Sequence, residues 1–166
     1  MNKERYNTPE VKAFLNQGLV VSCQPVDGGA LDEPYIVAAM AKAAIDGGAI
    51  AVRIEGADNV AATRKRIDAP IIGIVKRIDP LYPIIITPTL KDVQQLAQAG
   101  ADVIAIDGTE RKRPESREKL IHAIHQYGCS VMADCSNRDD GDACHQMGAD
   151  IIGTTLSGYT GGEIPM

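Results

Sequence analysis

The chain has 166 residues, 17 of them basic and 22 acidic, for a net charge of −5, and 45% of it is hydrophobic. That length suits one domain that can bury its own core, and the apolar share excludes an intrinsically disordered segment. With one Phe, five Tyr and no Trp on an acidic chain, it lacks both the basic stripe and the stacking platforms of a nucleic-acid binder.

No apolar run approaches the roughly 18 residues of a membrane span, and the opening MNKERYNTPE carries no signal-peptide core. No membrane partner is therefore expected. Cys23, Cys129, Cys135 and Cys144 form no C-x-x-C pair, so reduced thiols in a cytoplasmic protein are the expectation.

In chain order, the first strand-length run is Leu19 to Cys23, and Pro34 then opens a helix that ends at Gly47-Gly48. Runs Ile50 to Ile54 and Ile71 to Val75 follow, and a short Ile84-Ile85-Ile86 stretch belongs to a loop excursion. Val93, Leu96, Ala97 and Gly100 fall at helical spacing, so Leu90 to Ala99 reads as an amphipathic helix. Thr89 is placed to cap it and Gly100 to end it in a left-handed turn. Val103 to Ile106 is the next strand, followed by a helix from about Ser116 to Tyr127 that Gly128 closes. Ser130 to Ala133 and Ile151 to Thr154 complete the set, before a turn-like Gly158 to Met166. These runs are continuous rather than alternating, as parallel strands covered on both faces require.

Repeated β-α units give an open doubly wound sheet or a (β/α) barrel. Polar residues stand at the C-terminal ends of nearly all the runs: Ser22 and Gln24, Arg53 and Glu55, Lys76, Asp107, Asp134, Thr154 and Thr155. A barrel gathers those ends round one mouth, whereas an open sheet uses mainly its switch point. G-x-G-x-x-G and P-loop patterns are absent. The expected fold is thus α/β, a (β/α)8 TIM-barrel type with only about six of its eight β/α units present. Residues 1–166 would form one barrel domain, incomplete at its C-terminal end.

The segments Ser22-Cys23-Gln24-Pro25, Val52-Arg53-Ile54-Glu55-Gly56, Pro70 to Arg77 (PIIGIVKR), Ala105-Ile106-Asp107-Gly108-Thr109, Met132-Ala133-Asp134-Cys135-Ser136 and Ile152 to Thr160 (IGTTLSGYT) resemble, in order and in register, the bacterial N-acetylmannosamine-6-phosphate 2-epimerase family. The resemblance runs from about Leu19 to Thr160. It implies a ribulose-phosphate-binding-barrel-like fold and interconversion of N-acetylmannosamine 6-phosphate and N-acetylglucosamine 6-phosphate in sialic acid breakdown. It implies no metal or organic cofactor, a phosphorylated N-acetyl amino sugar as partner, and leaves room for a homo-oligomer.

Epimerisation at C2, beside the C1 aldehyde of the open-chain sugar, removes a carbon-bound proton and returns one to the other face. That needs a base, donors for the developing enolate oxygen, and cations for the phosphate. By the resemblance Lys76 is the catalytic lysine, while Gln24, Arg53 and Asp134 contact the substrate's hydroxyls and N-acetyl group. Strand parity turns Arg53 inward and Arg77 away from the mouth. Partial burial and a nearby cation are expected to lower the Lys76 pKa. Asp134 has a plainer reading as a loop cap, and Asp107, with Gly108 after it, reads as a cap. Thr154 to Thr160 either lines the mouth or is a simple turn. His122 and His125 read as a solvated helix flank rather than metal ligands, Arg111-Lys112-Arg113 as a solvated loop, and Cys135 as packing. Two other functions stay open: an aldolase or lyase using a strand-end Lys through a Schiff base, and a non-catalytic remnant that only binds sugar phosphate.

The sequence departs from the family beyond its sixth run. The family's second acid-base residue, a glutamate in an Ala-Glu-Gly-(Arg/Lys) segment after strand seven, and its phosphate site around strands seven and eight have no counterpart here. Glu4 to Pro9 reads like the stretch round that glutamate, but Thr8 and Pro9 equally suit a helix N-cap and N1 pair. Two unpaired edge strands and a lysine-bearing half of the site are the expectation.

Overall fold

Runs of Ile, Val and Ala without alternation become central parallel strands because helices cover one face and a second apolar cluster fills the other. The computed structural model describes residues 15, 16 and 18–161. Thr8, Pro9 and the last residues of the Gly158–Met166 segment lie outside them, and residues 155–159 are turns. Six strands, β1 (Val20–Cys23), β2 (Ala51–Glu55), β3 (Ile71–Ile74), β4 (Val103–Asp107), β5 (Ser130–Asp134) and β6 (Ile151–Gly153), alternate with α1 (Pro34–Asp46), α2 (Ala57–Arg64), α3 (Leu90–Ala99), α4 (Arg117–Gln126) and α5 (Arg138–Gln146).

The sheet order is β1-β2-β3-β4-β5-β6, parallel throughout. An order that never reverses has no switch point, and crossovers of one hand then put every helix on the same face. That is how a barrel is wound. Val52, Ile54, Ile71, Ile104, Ile106 and Val131 accordingly pack outward against Val37, Val60, Leu96, Leu120 and Ile124 of the helices. Ile72, Ile74, Val103 and Ala105, with Val20, Met132 and Ile151, fill the concave side. Among the described residues β1 and β6 are edges.

Local chemistry sets the helix ends. The Thr89 side chain accepts from Asp92 N–H, and the Asp92 carboxylate accepts from Thr89 N–H, a reciprocal capping box. Gly100 then ends α3 in the left-handed conformation, at φ 102°. Ser116 Oγ accepts from Lys119 N–H to start α4. Periodicity leaves α2 and α5 without a signal. α5 reads RDDGDACHQ, charged, with a glycine that looks like a break. Gly141 is instead a point of close approach: a Cβ there would stand 3.1 Å from Ile152 Cγ2.

The isoleucine run 84–86 is an excursion that returns to the sheet. Arg77 N–H donates to Ile85 O and Thr87 N–H to Val75 O, while Asp107 N–H donates to Ile86 O. Residues 85–87 therefore wedge between the C-terminal ends of β3 and β4.

Candidate active site

Side-chain parity decides which strand-end residues reach the mouth. Ser22 pairs in register with Arg53, Glu55 with Ile74, and Asp107 with Asp134. Each shares the concave face with Val20, Ile72, Val103 and Met132. Lys76, two residues past Ile74, continues that alternation beyond the regular strand. Arg77 turns the other way, as parity predicts: its Nε donates to Asp92 Oδ1 at 2.7 Å on the outer helix α3.

Arg53 and Asp134 meet directly. Nη1 lies 3.1 Å from Oδ1 and Nη2 2.5 Å from Oδ2, a forked pair whose side chains are 12% and 0% exposed. In a flat sheet β2 and β5 would stand about 14 Å apart, three interstrand spacings. The pair is thus a chord across a curved sheet. Asp134 does not cap a loop. That work falls to Asn137, whose Oδ1 accepts from Asp140 N–H, and to Asp140, which accepts from Ser136 N–H and Oγ–H and from Glu110 N–H.

Gln24 is half-buried beyond β1, its Nε2 donating to Ser22 Oγ at 2.7 Å. Lys76 is exposed, which corrects the expected partial burial. It is the first residue of the excursion rather than the last of β3, so it stands over the rim. Its backbone N–H donates to Glu55 Oε1 at 3.2 Å. Glu55 is a mouth residue that the substrate-contact assignment passed over, although its place two residues after Arg53 on an inward-facing strand was the available signal.

Asp107 organises the next loop, as its Gly108 neighbour suggests. Its Oδ1 accepts from Thr109 N–H and Oγ1–H, and its Oδ2 from Arg111 Nη2 at 2.8 Å. Arg113 folds back too, donating to Asp107 O at 2.9 Å. The basic run 111–113 is therefore not a solvated loop at its two arginines, because the buried Asp107 carboxylate draws them in. Burial pushes the Arg113 guanidinium below its ordinary value, against the pull of Asp107. His125 Nε2 lies 2.9 Å from Asp150 Oδ2, His122 is exposed, and among the described residues no cluster of three or more metal-ligand side chains occurs.

Cys135 faces away from the mouth and packs with Cys144 against Gly108. Its thiol is raised by a hydrogen bond with Cys144 and by burial, and that same bond, with Arg117, lowers Cys144. A Cβ on Gly108 would stand 2.8 Å from Cys135 Sγ, 3.1 Å from Cys144 Sγ and 3.2 Å from Ala133 Cβ. Gly108→Ala should therefore destabilise the protein by about 1–3 kcal/mol through overpacking, read as a lowered urea midpoint at unchanged slope. A midpoint within error of the parent would show that the β4 end has slack. A cavity of about 470 Å³ lies elsewhere, between α5 and β6, lined by Asn137, Gly141, His145 and Ile152 among others. It includes none of the mouth residues Gln24, Arg53, Lys76 or Asp134.

The family model described as "NanE: Putative N-acetylmannosamine-6-phosphate epimerase" matches residues 37–166. The chain belongs to the NanE family. Among its relatives, a Pasteurella multocida protein named "Putative N-acetylmannosamine-6-phosphate 2-epimerase" is 56% identical over 157 residues, 95% of this chain and 69% of that protein. A Haemophilus influenzae protein of the same name is 53% identical over 165 residues, 99% of this chain and 72% of its own length. The solved N-acetylmannosamine-6-phosphate 2-epimerase of Clostridium perfringens superposes with a TM-score of 0.89 at 36% identity, over 97% of this chain and 69% of that one. A structure described as "Native KDPGal structure" shares the fold alone, with a TM-score of 0.52 at 18% identity. This family member is thus a barrel-type α/β protein, with six parallel strands and alternating helices among its described residues. No described helix is long and apolar enough to cross a membrane.

Proposed function

We propose that this NanE-family chain interconverts N-acetylmannosamine 6-phosphate and N-acetylglucosamine 6-phosphate by removing and replacing the proton at C2. The observation that carries the reading is the convergence of the inward side chains of Arg53, Glu55, Asp107 and Asp134, with Lys76 at the rim, on one mouth of a sheet that superposes on the Clostridium epimerase.

In the open-chain sugar the C1 aldehyde acidifies the C2 hydrogen. The Lys76 amine takes that proton and becomes an ammonium, and the electron pair moves onto the C1 oxygen as an enolate. The enolate collapses by taking a solvent-derived proton at C2 on the opposite face, and the ammonium gives its proton to solvent once product leaves. The substrate itself covers the rim, excluding water from an amine that is exposed without it. Arg53, locked by Asp134, presents a rigid guanidinium to the sugar. It carries five N–H donors, and the ion pair fixes the plane in which the others point. Gln24 offers an amide that both donates and accepts, suited to a hydroxyl or the N-acetyl group. The reading sets the reaction in the cytoplasm, supported by the reduced, buried thiols Cys23, Cys129, Cys135 and Cys144.

Incubating the protein with N-acetylmannosamine 6-phosphate in D2O tests this. The expected result is N-acetylglucosamine 6-phosphate carrying deuterium at C2. No label at C2, or an adduct on Lys76 trapped by borohydride, overturns it, the adduct in favour of Schiff-base chemistry.

A further inference from the structure

The catalytic amine of the proposed reaction hangs on a backbone that has just left its strand, so something else must hold it. Up to that point the β2–β3 ladder is regular: Val52 N–H donates to Pro70 O, and Gly56 N–H to Ile74 O. The next rung of a parallel ladder would take Lys76 N–H to the Gly56 carbonyl. Gly56 breaks it. At φ 85° it turns into α2, and its carbonyl accepts from Val60 N–H at 3.0 Å as the helix's first bond.

The Lys76 N–H thus loses its ladder acceptor, and the Glu55 carboxylate takes its place, Oε1 lying 3.2 Å away. Glu55 is itself anchored by β2, with Asn59 Nδ2 donating to its backbone oxygen at 2.9 Å. From the β4 side the same neck is gripped by Thr87, whose Oγ1 accepts from Val75 N–H at 3.2 Å and whose N–H donates to Val75 O at 2.7 Å. Thr87 is fully buried and held at φ 43°, a conformation that a branched side chain rarely adopts. It persists because both of its bonds hold it there.

We propose that Glu55 is a positioning residue for catalysis: its carboxylate, standing in for the missing ladder acceptor, fixes the backbone of Lys76 against Thr87 on the other side. The inference rests on the reading of Lys76 as the base. A base displaced by about 1 Å loses on the order of 100-fold in rate. Glu55→Ala should therefore slow deuterium entry at C2 by about 10- to 100-fold at nearly unchanged KM, since the substrate's own contacts remain. Glu55→Gln keeps an acceptor oxygen at the same place and should stay within about threefold of the parent.

The test pairs those rates with hydrogen exchange at the Lys76 backbone amide. Protection there should fall at least about tenfold in Glu55→Ala and return in Glu55→Gln, as loss and recovery of one hydrogen bond predict. Unchanged Lys76 protection in Glu55→Ala overturns the proposal, as does Glu55→Gln failing like Glu55→Ala. Loss of rate in Lys76→Ala with a normal Glu55→Ala removes the positioning role and leaves the base reading standing. A fully active Lys76→Ala removes the base reading and the positioning claim with it, even if the backbone bond is real.

Discussion

Asp134→Ala is expected to destabilise the protein by about 3–5 kcal/mol, a large part of the 5–15 kcal/mol that typically holds a domain together. The reason is what remains behind. Arg53 is 12% exposed and both of its terminal nitrogens rest on the Asp134 carboxylate. Without that carboxylate the guanidinium stays charged and largely buried, with no anion to offset its desolvation. Asp134→Asn should fall between the parent and Asp134→Ala, because one amide oxygen still accepts a hydrogen bond but carries no charge.

The paired change Arg53→Met with Asp134→Leu separates the value of the ion pair from the penalty of breaking it. Buried pairs replaced by apolar side chains of similar size are often neutral or stabilising, so the double variant should recover most of the loss while remaining inactive. Urea denaturation of these variants measures this, and adding the single changes Arg53→Met and Asp134→Leu closes the cycle from which the coupling is read. A single variant that loses less than about 1 kcal/mol would place the pair in the weak class of exposed ion pairs. The bridge also matters for chemistry: it joins strands three apart, so it holds the curvature that brings the mouth residues within reach of one small molecule.

How much of this was legible in the sequence follows from the range of the forces. Strands, the Thr89 cap and the Gly100 terminator are written within a few residues of themselves, and they fall where periodicity and capping chemistry put them. So does the outward turn of Arg77, because parity is a local property of a strand. The Arg53–Asp134 bridge spans 81 residues of chain, and nothing in either neighbourhood names the partner. Asp134 could be read equally as a cap until Asn137 and Asp140 are seen doing that work. The basic run 111–113 looked solvated because Asp107 reads as a strand-end cap, whereas its burial lets it gather the arginines that follow. α5 carries no periodic signal because a helix lying on one edge strand needs few apolar residues, and its glycine is explained by the approach of Ile152. Parity continues to Lys76 beyond the regular strand, but parity carries no information on depth, and Lys76 is exposed. Its exposure follows from the wedge of residues 85–87, a long-range pairing that ends β3 just before the lysine.

Lys76→Arg is the more telling of two substitutions at the rim, and it is expected to lose as much C2 exchange as Lys76→Ala, about 10²- to 10⁴-fold. Two roles for the lysine make opposite forecasts. If it serves as a fixed cation beside the enolate or phosphate, Arg keeps the charge and should retain much of the rate. If it takes the proton itself, Arg cannot serve, since its guanidinium does not give up a proton at any working pH. Lys76 is exposed and its side chain packs into no core cluster, so both variants should hold their urea midpoints, within about 0.5 kcal/mol of the parent. A fall in exchange then reports chemistry and not unfolding. The backbone bond to Glu55 Oε1 is indifferent to the side chain at 76, so protection of that amide should persist in both variants and serves as the internal control. An arginine variant that exchanges C2 at nearly the parental rate would refute proton abstraction by Lys76 and assign it the electrostatic part alone.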